Sequence, residues 1–424
     1  MKKYLERIAD SILMDKLESK GAVLIEGAKW CGKTTTGEHI AGSIVYMEDP
    51  ARKKQYLDMA EMEPSTLLKG ETPRLIDEWQ LAPKLWDAIR FEVDKRDDFG
   101  QFIMTGSAVP PSLEDISHTG TGRITRMTMR PMSLYESQDS TGEVSLADLF
   151  NSTVNISGSS DADLTRIAYL ICRGGWPKAI GCSEKVALKQ AEDYYDAVVN
   201  SDISRVDNIL RDPEKAKKVL RSYARHTSTE ASISSILSDV RQGDSESFSE
   251  GTLRSYINAL KKIFVIENTV AWNPNIRSKT AIRSSETRYF VDSSIATAAL
   301  GIGPTDLIND LNTMGLLFEN MCVRDLRIYA ESLGGNEYHY RDKSGLECDA
   351  VIHLRNGYYG LIEIKLGGDK LIEEGAKNLL KLRSLIDTEK MKKPSFMMVL
   401  TGTSPFAYQR NDGVLVVPIT CLKN

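Results

Sequence analysis

No stretch of the sequence reaches the roughly 18 consecutive apolar residues that a membrane-spanning helix needs. The opening run MKKYLERIADSILMDKLESK alternates charge with apolar residues where a secretory leader would carry an apolar core. On that pattern a soluble, cytoplasmic chain with no membrane partner is expected. Cysteine is scarce and scattered: Cys31, Cys172, Cys182, Cys322, Cys348 and Cys421 form no CxxC pair and have no histidine cluster beside them. Neither a structural zinc site nor a disulfide framework is therefore indicated, and a reducing cytoplasm fits. A strong charge of one sign is missing too. The formal net charge of −5 excludes a globally basic nucleic-acid binder, although it averages over segments that differ.

With 424 residues the chain exceeds what one hydrophobic core usually supports, so two or three domains are expected. Hydrophobic residues at 41% and charged residues at 27% are ordinary globular usage, far from disorder. Tyr4, Ile8, Ile12, Leu13 and Leu17 recur at helical spacing over residues 3–19, and the apolar run from Ala22 to Ile25 is too short for a helix. Further strand-like runs are SIVYM from Ser43, RLID from Arg74 and QFIMTG from Gln101, with helical or polar segments between them. That alternation predicts an α/β fold with a mostly parallel sheet and helices on its faces. The polar stretch from Gln138 to Asp163 breaks the pattern and predicts a loop-rich boundary.

Gly27, Ala28, Lys29, Trp30, Cys31, Gly32, Lys33 and Thr34 match GxxxxGK[ST] in full, after the strand AVLIE and before a helix starting TTTGEHI. In such a loop the glycines let backbone N–H groups turn inward around phosphates at a helix N-terminus. Lys33 reaches the β and γ phosphates, the Thr34 hydroxyl ligates Mg²⁺, and Thr35 follows in the same nucleotide-holding run. ATP and Mg²⁺ are therefore the expected cofactors. About 40 residues on, Asp77 and Glu78 end a second strand, where the aspartate would hold Mg²⁺ and the glutamate would polarise the attacking water. The strand QFIMTGS ends on Thr105 and Ser107, either of which could sense the γ phosphate, because ligands of open α/β sheets collect at the carboxyl ends of strands. Arg123, Arg126 and Arg130 follow a Gly-rich loop. Arg123, directly after Gly122, is the candidate arginine finger, in cis or from a neighbouring subunit.

Helical stretches are predicted from Glu214 to His226, Glu230 to Arg241 and Gly251 to Phe264, followed by the strand-like runs VIENTVAW and TRYFVD. Three helices and a strand pair suggest a winged helix. Residues 213–290 hold thirteen Lys/Arg against eight Asp/Glu, a local net of +5, whereas the remainder carries −10. The asymmetry allows DNA contact through Arg254, Lys261 and Lys262 on the third helix, and equally a protein contact.

From Gly345 the chain reads GLECDAVIHLRNGYYGLIEIK, two alternating strands with a hairpin signal at Asn356-Gly357. Glu363 and Lys365 lie two apart and share a face. Asp349, on the partner strand, could reach the same side, and Glu319 on the helical run LLFENMCVRDL adds a further carboxylate. Carboxylates converging with a lysine suit metal-assisted phosphodiester cleavage, with Asp349 and Glu363 as metal ligands; a salt-bridged strand pair has the same composition.

With LIDEW, FIMTGS, the TGR loop, GGWPKAI, GLLFEN, LECDAV and IEIK in place, the whole chain resembles the predicted AAA-type ATPases of archaea and bacteria that carry a C-terminal domain of unknown function related to PD-(D/E)xK nucleases. The resemblance implies a P-loop AAA-like ATPase core over residues 1–137, a loop-rich boundary and helical lid over 138–212, a winged-helix-like domain over 213–298 and a mixed α/β nuclease-like domain over 299–424. It also implies roles for Lys33 and Thr34 on nucleotide, Asp77 and Glu78 as the metal and water pair, and Thr105 as sensor. Glu319, Asp349, Glu363 and Lys365 would form the nuclease-like cluster, and a homo-oligomer is expected by analogy. Two readings follow: an ATPase acting on nucleic acid, or a nucleotide switch whose terminal domain is a non-catalytic recognition module.

Overall fold

The computed structural model describes residues 4–106, 119–151, 156–207, 209–241, 248–273 and 285–424. They fall into two compact units. One comprises Met1–Pro131, Val198–Asp212 and Asn258–Val265, the other Met132–Ala197, Pro213–Ile257 and Ile266–Asn424. The edges between the units fall at 131/132, 197/198, 212/213, 257/258 and 265/266, and none falls at 299.

In the first unit, short runs of Val, Ile, Leu, Phe and Met become buried strands: β1 (Ala22–Gly27), β2 (Ser43–Tyr46), β3 (Arg74–Asp77), β4 (Phe102–Gly106) and β5 (Ile124–Met129). They form one sheet in the order β2-β3-β4-β1-β5, with every pair parallel. Parallel strands need helical crossovers, which cover both faces and leave the strands apolar throughout. Leu24, Ile76, Phe102 and Met104 accordingly pack with Trp79 and Trp86 in one core cluster. Ile25, Leu75, Ile103 and Met127 pack with Leu13 and Leu17 of the helix Ile8–Leu17 in another. The register sets Ile25 opposite Thr105, Ile76 opposite Met104 and Gly27 opposite Met129. The carboxyl ends of β1, β3 and β4 therefore meet at one rim of the sheet.

In the second unit, β8 (Gly335–Arg341), β9 (Glu347–Leu354), β10 (Tyr359–Lys365), β11 (Phe396–Thr401), β12 (Phe406–Gln409) and β13 (Leu415–Pro418) join a mixed seven-stranded sheet. The seventh strand, β7 (Gly158–Ser159), pairs with β12, and β6 (Val144–Ser145) pairs with the final strand, β14 (Leu422–Lys423). The polar stretch read as a loop-rich boundary thus supplies two short strands to the C-terminal β-structure. The expected hairpin forms: β9 and β10 run antiparallel with Tyr359 opposite His353. The helix Asp369–Leu385 buries Ile372, Ala376, Leu379 and Leu382 against Val351, Leu361, Val399 and Val416.

Three helices stand where the periodicity predicts them, at Pro213–Arg225, Ile233–Arg241 and Glu250–Lys262. The strand pair expected after them is reduced to isolated antiparallel bridges, Ile266 with Phe290 and Thr269 with Thr287, and the loop drawn between the two strands lies largely outside the described residues.

The second unit also buries charge. Arg324, 1% exposed, places Nη1 2.8 Å from Asp292 Oδ2 and Nη2 2.7 Å from Asp325 Oδ1. Asp292 further accepts the Gly175 and Ser294 N–H groups, and Asp325 accepts the Leu134 N–H at 2.8 Å. Burial pushes the Asp325 carboxyl up to about 6 against the pull of Arg324. At Asp292 burial acts in the same direction, but Arg324 and the hydrogen bonds prevail and hold it below its usual value. On β8, His339 is 4% exposed. Burial pushes its imidazole down to about 4, with the Arg341 charge acting the same way, even though Glu230 Oε1 lies 3.3 Å from Nε2.

Two outcomes are expected. Arg324→Ala leaves two buried carboxylates without their cation and lowers stability by about 3–5 kcal/mol in urea denaturation. For His339 the unfolded chain binds the extra proton between pH 6.5 and about 4, so its contribution is fully present above the unfolded value and is lost as pH falls. His339→Gln should flatten that acid limb by on the order of 2–3 kcal/mol in thermal melts taken from pH 7 to pH 4.

Candidate nucleotide site and a carboxylate cluster

The loop after β1 turns where only glycine fits easily. Gly27 has φ +145°, and a Cβ there would lie 2.1 Å from the Met129 carbonyl oxygen. Gly32, at φ +105°, caps the helix Lys33–Ile40 in a left-handed conformation. Arg7 braces the loop from the N-terminal segment, donating from Nη1 to the Cys31 carbonyl at 2.8 Å and from Nη2 to the Arg130 carbonyl at 2.9 Å. Cys31 is buried and donates from Sγ to the Met129 carbonyl. Lys33, 6% exposed, folds back so that Nζ donates to the Gly27 and Ala28 carbonyls at 3.0 and 2.8 Å. Thr35 lies in the first turn of the helix, and Lys29 pairs with Asp202 at 2.6 Å.

One carboxylate oxygen gathers the rim. Asp77 Oδ1, at the end of β3, accepts from Thr34 Oγ1 at 2.7 Å and from Thr105 Oγ1, on β4, at 2.6 Å. Thr105 Oγ1 in turn accepts the Glu78 N–H at 3.3 Å. Glu78 sits in the left-handed region at φ +56°, and its carboxylate accepts from Gln80 Nε2. Burial raises the Glu78 carboxyl above its usual value, while the Gln80 hydrogen bond and the Lys33 charge oppose the rise. Five expected residues (Lys33, Thr34, Asp77, Glu78 and Thr105) thus meet at one rim. A lysine over a glycine-turned helix N-terminus suits a phosphate, and the adjoining hydroxyl and carboxylate oxygens suit a hard cation such as Mg²⁺.

The arginines are spread along β5. Arg123 precedes its first residue, next to Ala22 and so at the opposite rim of the sheet from the loop, and its Nε lies 2.6 Å from Asp94 Oδ1. Within one chain, that placement does not bring Arg123 to the Lys33 site. Arg126 pairs with Glu26 at 3.0 Å and stacks its guanidinium over Trp86. Ser107 lies outside the described residues. Sequence reading missed Arg7 and Asp202: Arg7 reads as one more charge on a helix, and Asp202 is 173 residues from the lysine it meets.

The C-terminal carboxylates also assemble, but around an ammonium. Lys365 Nζ lies 2.7 Å from Glu363 Oε2 and 3.1 Å from Asp349 Oδ2, which also accepts the Ile364 N–H at 2.7 Å. Glu319 Oε1 accepts from Tyr289 Oη at 2.5 Å. Burial first, then the Asp349 charge, pushes Glu363 up to about 8 and carries Glu319 well above the usual range. Glu319 and Asp349 line a cavity of about 70 Å³ with Glu230, Tyr289 and His339. Among the described residues no three Asp, Glu, His or Cys side chains are grouped as metal ligands. Asp349 and Glu363, the two expected ligands, both contact Lys365 Nζ. Arg254, expected at a nucleic acid, pairs with Glu250 one turn away at 2.7 Å.

Residues 19–138 match the model of an AAA domain, residues 164–306 a domain of unknown function (DUF8612), and residues 314–422 another (DUF4143). Uncharacterised proteins of Mycobacterium bovis (Mb2031c) and Mycobacterium tuberculosis (Rv2008c) are each 24% identical over 381 residues, covering 88% of this chain and 77% of their own. A solved structure, the Walker-type ATPase PABY2304 of Pyrococcus abyssi, aligns at 13% identity and a TM-score of 0.42, over 70% of this chain and 96% of that one. Among the described residues no helix is long and apolar enough to cross a membrane. With the glycine-turned loop at the rim of a parallel sheet and the AAA-domain match across it, residues 19–138 have a P-loop AAA-like α/β fold.

Proposed function

We propose that the protein hydrolyses ATP at the rim formed by Lys33, Thr34, Asp77, Glu78 and Thr105. The observation that carries this reading is the single Asp77 oxygen held by both Thr34 and Thr105, with the Glu78 carboxylate on the next residue. Lys33 exchanges its two loop carbonyls for the β and γ phosphate oxygens, offsetting their charge. Glu78 orients water and takes its proton as the water oxygen attacks the γ phosphorus and ADP leaves; partial burial keeps its basicity high for that task. Thr105, tied to both Asp77 and the Glu78 backbone, holds the two carboxylates in register. Thr34 and Asp77 are the residues that would hold Mg²⁺, which would supply further charge neutralisation on the phosphates.

The terminal domain is best read as a non-catalytic recognition module, so that nucleotide turnover switches a binding state. Lys365 spanning Asp349 and Glu363 favours this reading, because the lysine satisfies the carboxylates that a cleavage centre would give to a metal. The local charge of +5 over residues 213–290 makes DNA the candidate partner through a winged-helix-like segment, with affinity falling steeply as salt rises.

Lys33→Ala should abolish ATP binding in calorimetry, whereas Glu78→Gln should keep binding and lower turnover by about 10²–10⁴-fold in a phosphate-release assay. Normal hydrolysis by both variants would sink the assignment. With Mg²⁺ and plasmid, single-stranded DNA or RNA, the wild type should leave the nucleic acid intact. Cleavage that disappears in Asp349→Ala and Lys365→Ala would establish a nuclease in place of a recognition module.

A further inference from the structure

The candidate nucleotide loop carries a second lysine whose charge is already engaged. Lys29 stands two residues after Gly27, and its Nζ lies 2.6 Å from Asp202 Oδ1. The two ends of the pair differ in setting: the Lys29 side chain is 39% exposed and that of Asp202 only 10%. Asp202 closes a π-helical turn, Val198–Asp202, which interrupts the helical run between Glu184–Ala197 and Ile203–Arg205. Wide turns of this kind re-aim a side chain and recur at functional positions. The segment after the turn is held firmly. Arg211 is buried, donates from Nη1 to the Ile203 carbonyl at 2.8 Å, and grips Asp207 with both Nη atoms at 2.7 and 2.8 Å. Asp202 is therefore a nearly buried carboxylate on a braced segment, whereas Lys29 is a flexible side chain that can leave it.

A carboxylate in contact with a lysine of the loop adds negative charge on the side from which that lysine would reach a bound phosphate. It repels that phosphate and also neutralises a cation that would attract it. Both effects weaken nucleotide binding, and both grow with the number of phosphate charges. The geometry points to Asp202 as a positioning residue that acts through Lys29, an electrostatic latch that a nucleoside triphosphate must open by drawing Lys29 onto its phosphates. The inference rests on the assignment of the Gly27–Thr34 loop to ATP. It adds that nucleotide occupancy is felt at the π-turn, which is continuous in the chain with the helix Glu184–Ala197.

The test is calorimetric titration of MgATP and MgADP into wild type, Asp202→Asn, Lys29→Gln and the double variant. Asp202→Asn should tighten ATP by about three- to fivefold and ADP by less, the scale of one partly exposed ion pair. Lys29→Gln should weaken ATP by a similar factor, and adding Asp202→Asn to it should recover less than Asp202→Asn gains alone. Lys29→Gln breaks the same pair from the exposed side, so loss of fold in Asp202→Asn would still leave a measurement. Unchanged or weaker ATP binding in a folded Asp202→Asn, or equal factors for ATP and ADP, overturns the latch while leaving the site assignment standing. Absence of ATP binding by the wild type overturns both.

Discussion

The hydrogen bonds that converge on Asp77 Oδ1 tie together three elements that are far apart in sequence. The donors come from the helix after β1 and from β4, and the acceptor ends β3. The sheet order makes this possible. β4 lies between β1 and β3, so the ends of all three strands reach one rim at the same level, and Thr105 stands between the loop and the carboxylate. Parallel strands with helical crossovers force that alignment, because every strand ends on the same side. Without it, the lysine, the threonine and the two acids would be unrelated residues.

The second unit manages charge in another way. Arg324 is enclosed by Asp292 and Asp325, and those carboxylates also receive backbone N–H groups. Lys365 similarly joins Asp349 and Glu363. A buried ion pair is tolerated when its remaining lone pairs are satisfied, and removing one partner costs more than the pair adds over an apolar replacement. In the polar stretch from Gln138 to Asp163, the Thr141 N–H donates to the Thr420 carbonyl and the Ser160 N–H to the Pro405 carbonyl, while β6 and β7 pair with β14 and β12. The polar boundary seen in the sequence is therefore held to the C-terminal sheet by hydrogen bonds, where composition alone suggested a linker.

The strands β1 to β4 and the helices of residues 213–262 were legible because hydrophobic period is local: each run carries its own pattern of burial. The loop from Gly27 to Thr34 was legible because backbone turns demand glycine at fixed spacing. The strands expected after residue 264 reduce to isolated bridges, since alternation shows which face is buried but not whether a partner lies alongside for the whole run. Arg123 looked like a candidate because it follows a glycine, and only the register of β5 against β1 puts it at the far rim.

Sequence by itself therefore determined the kinds of group available: a phosphate loop, an acid pair at a strand end, and a Glu, Asp, ExK order near the C-terminus. Tertiary structure decided which groups meet. It brought Thr105 onto Asp77, set Lys29 against Asp202, braced the loop with Arg7 and drew Lys365 between two carboxylates. The physical reason is range. Backbone turns and burial periods are settled within a few residues, whereas an ion pair or shared hydrogen bond across a hundred residues exists only after the sheet order has placed its partners.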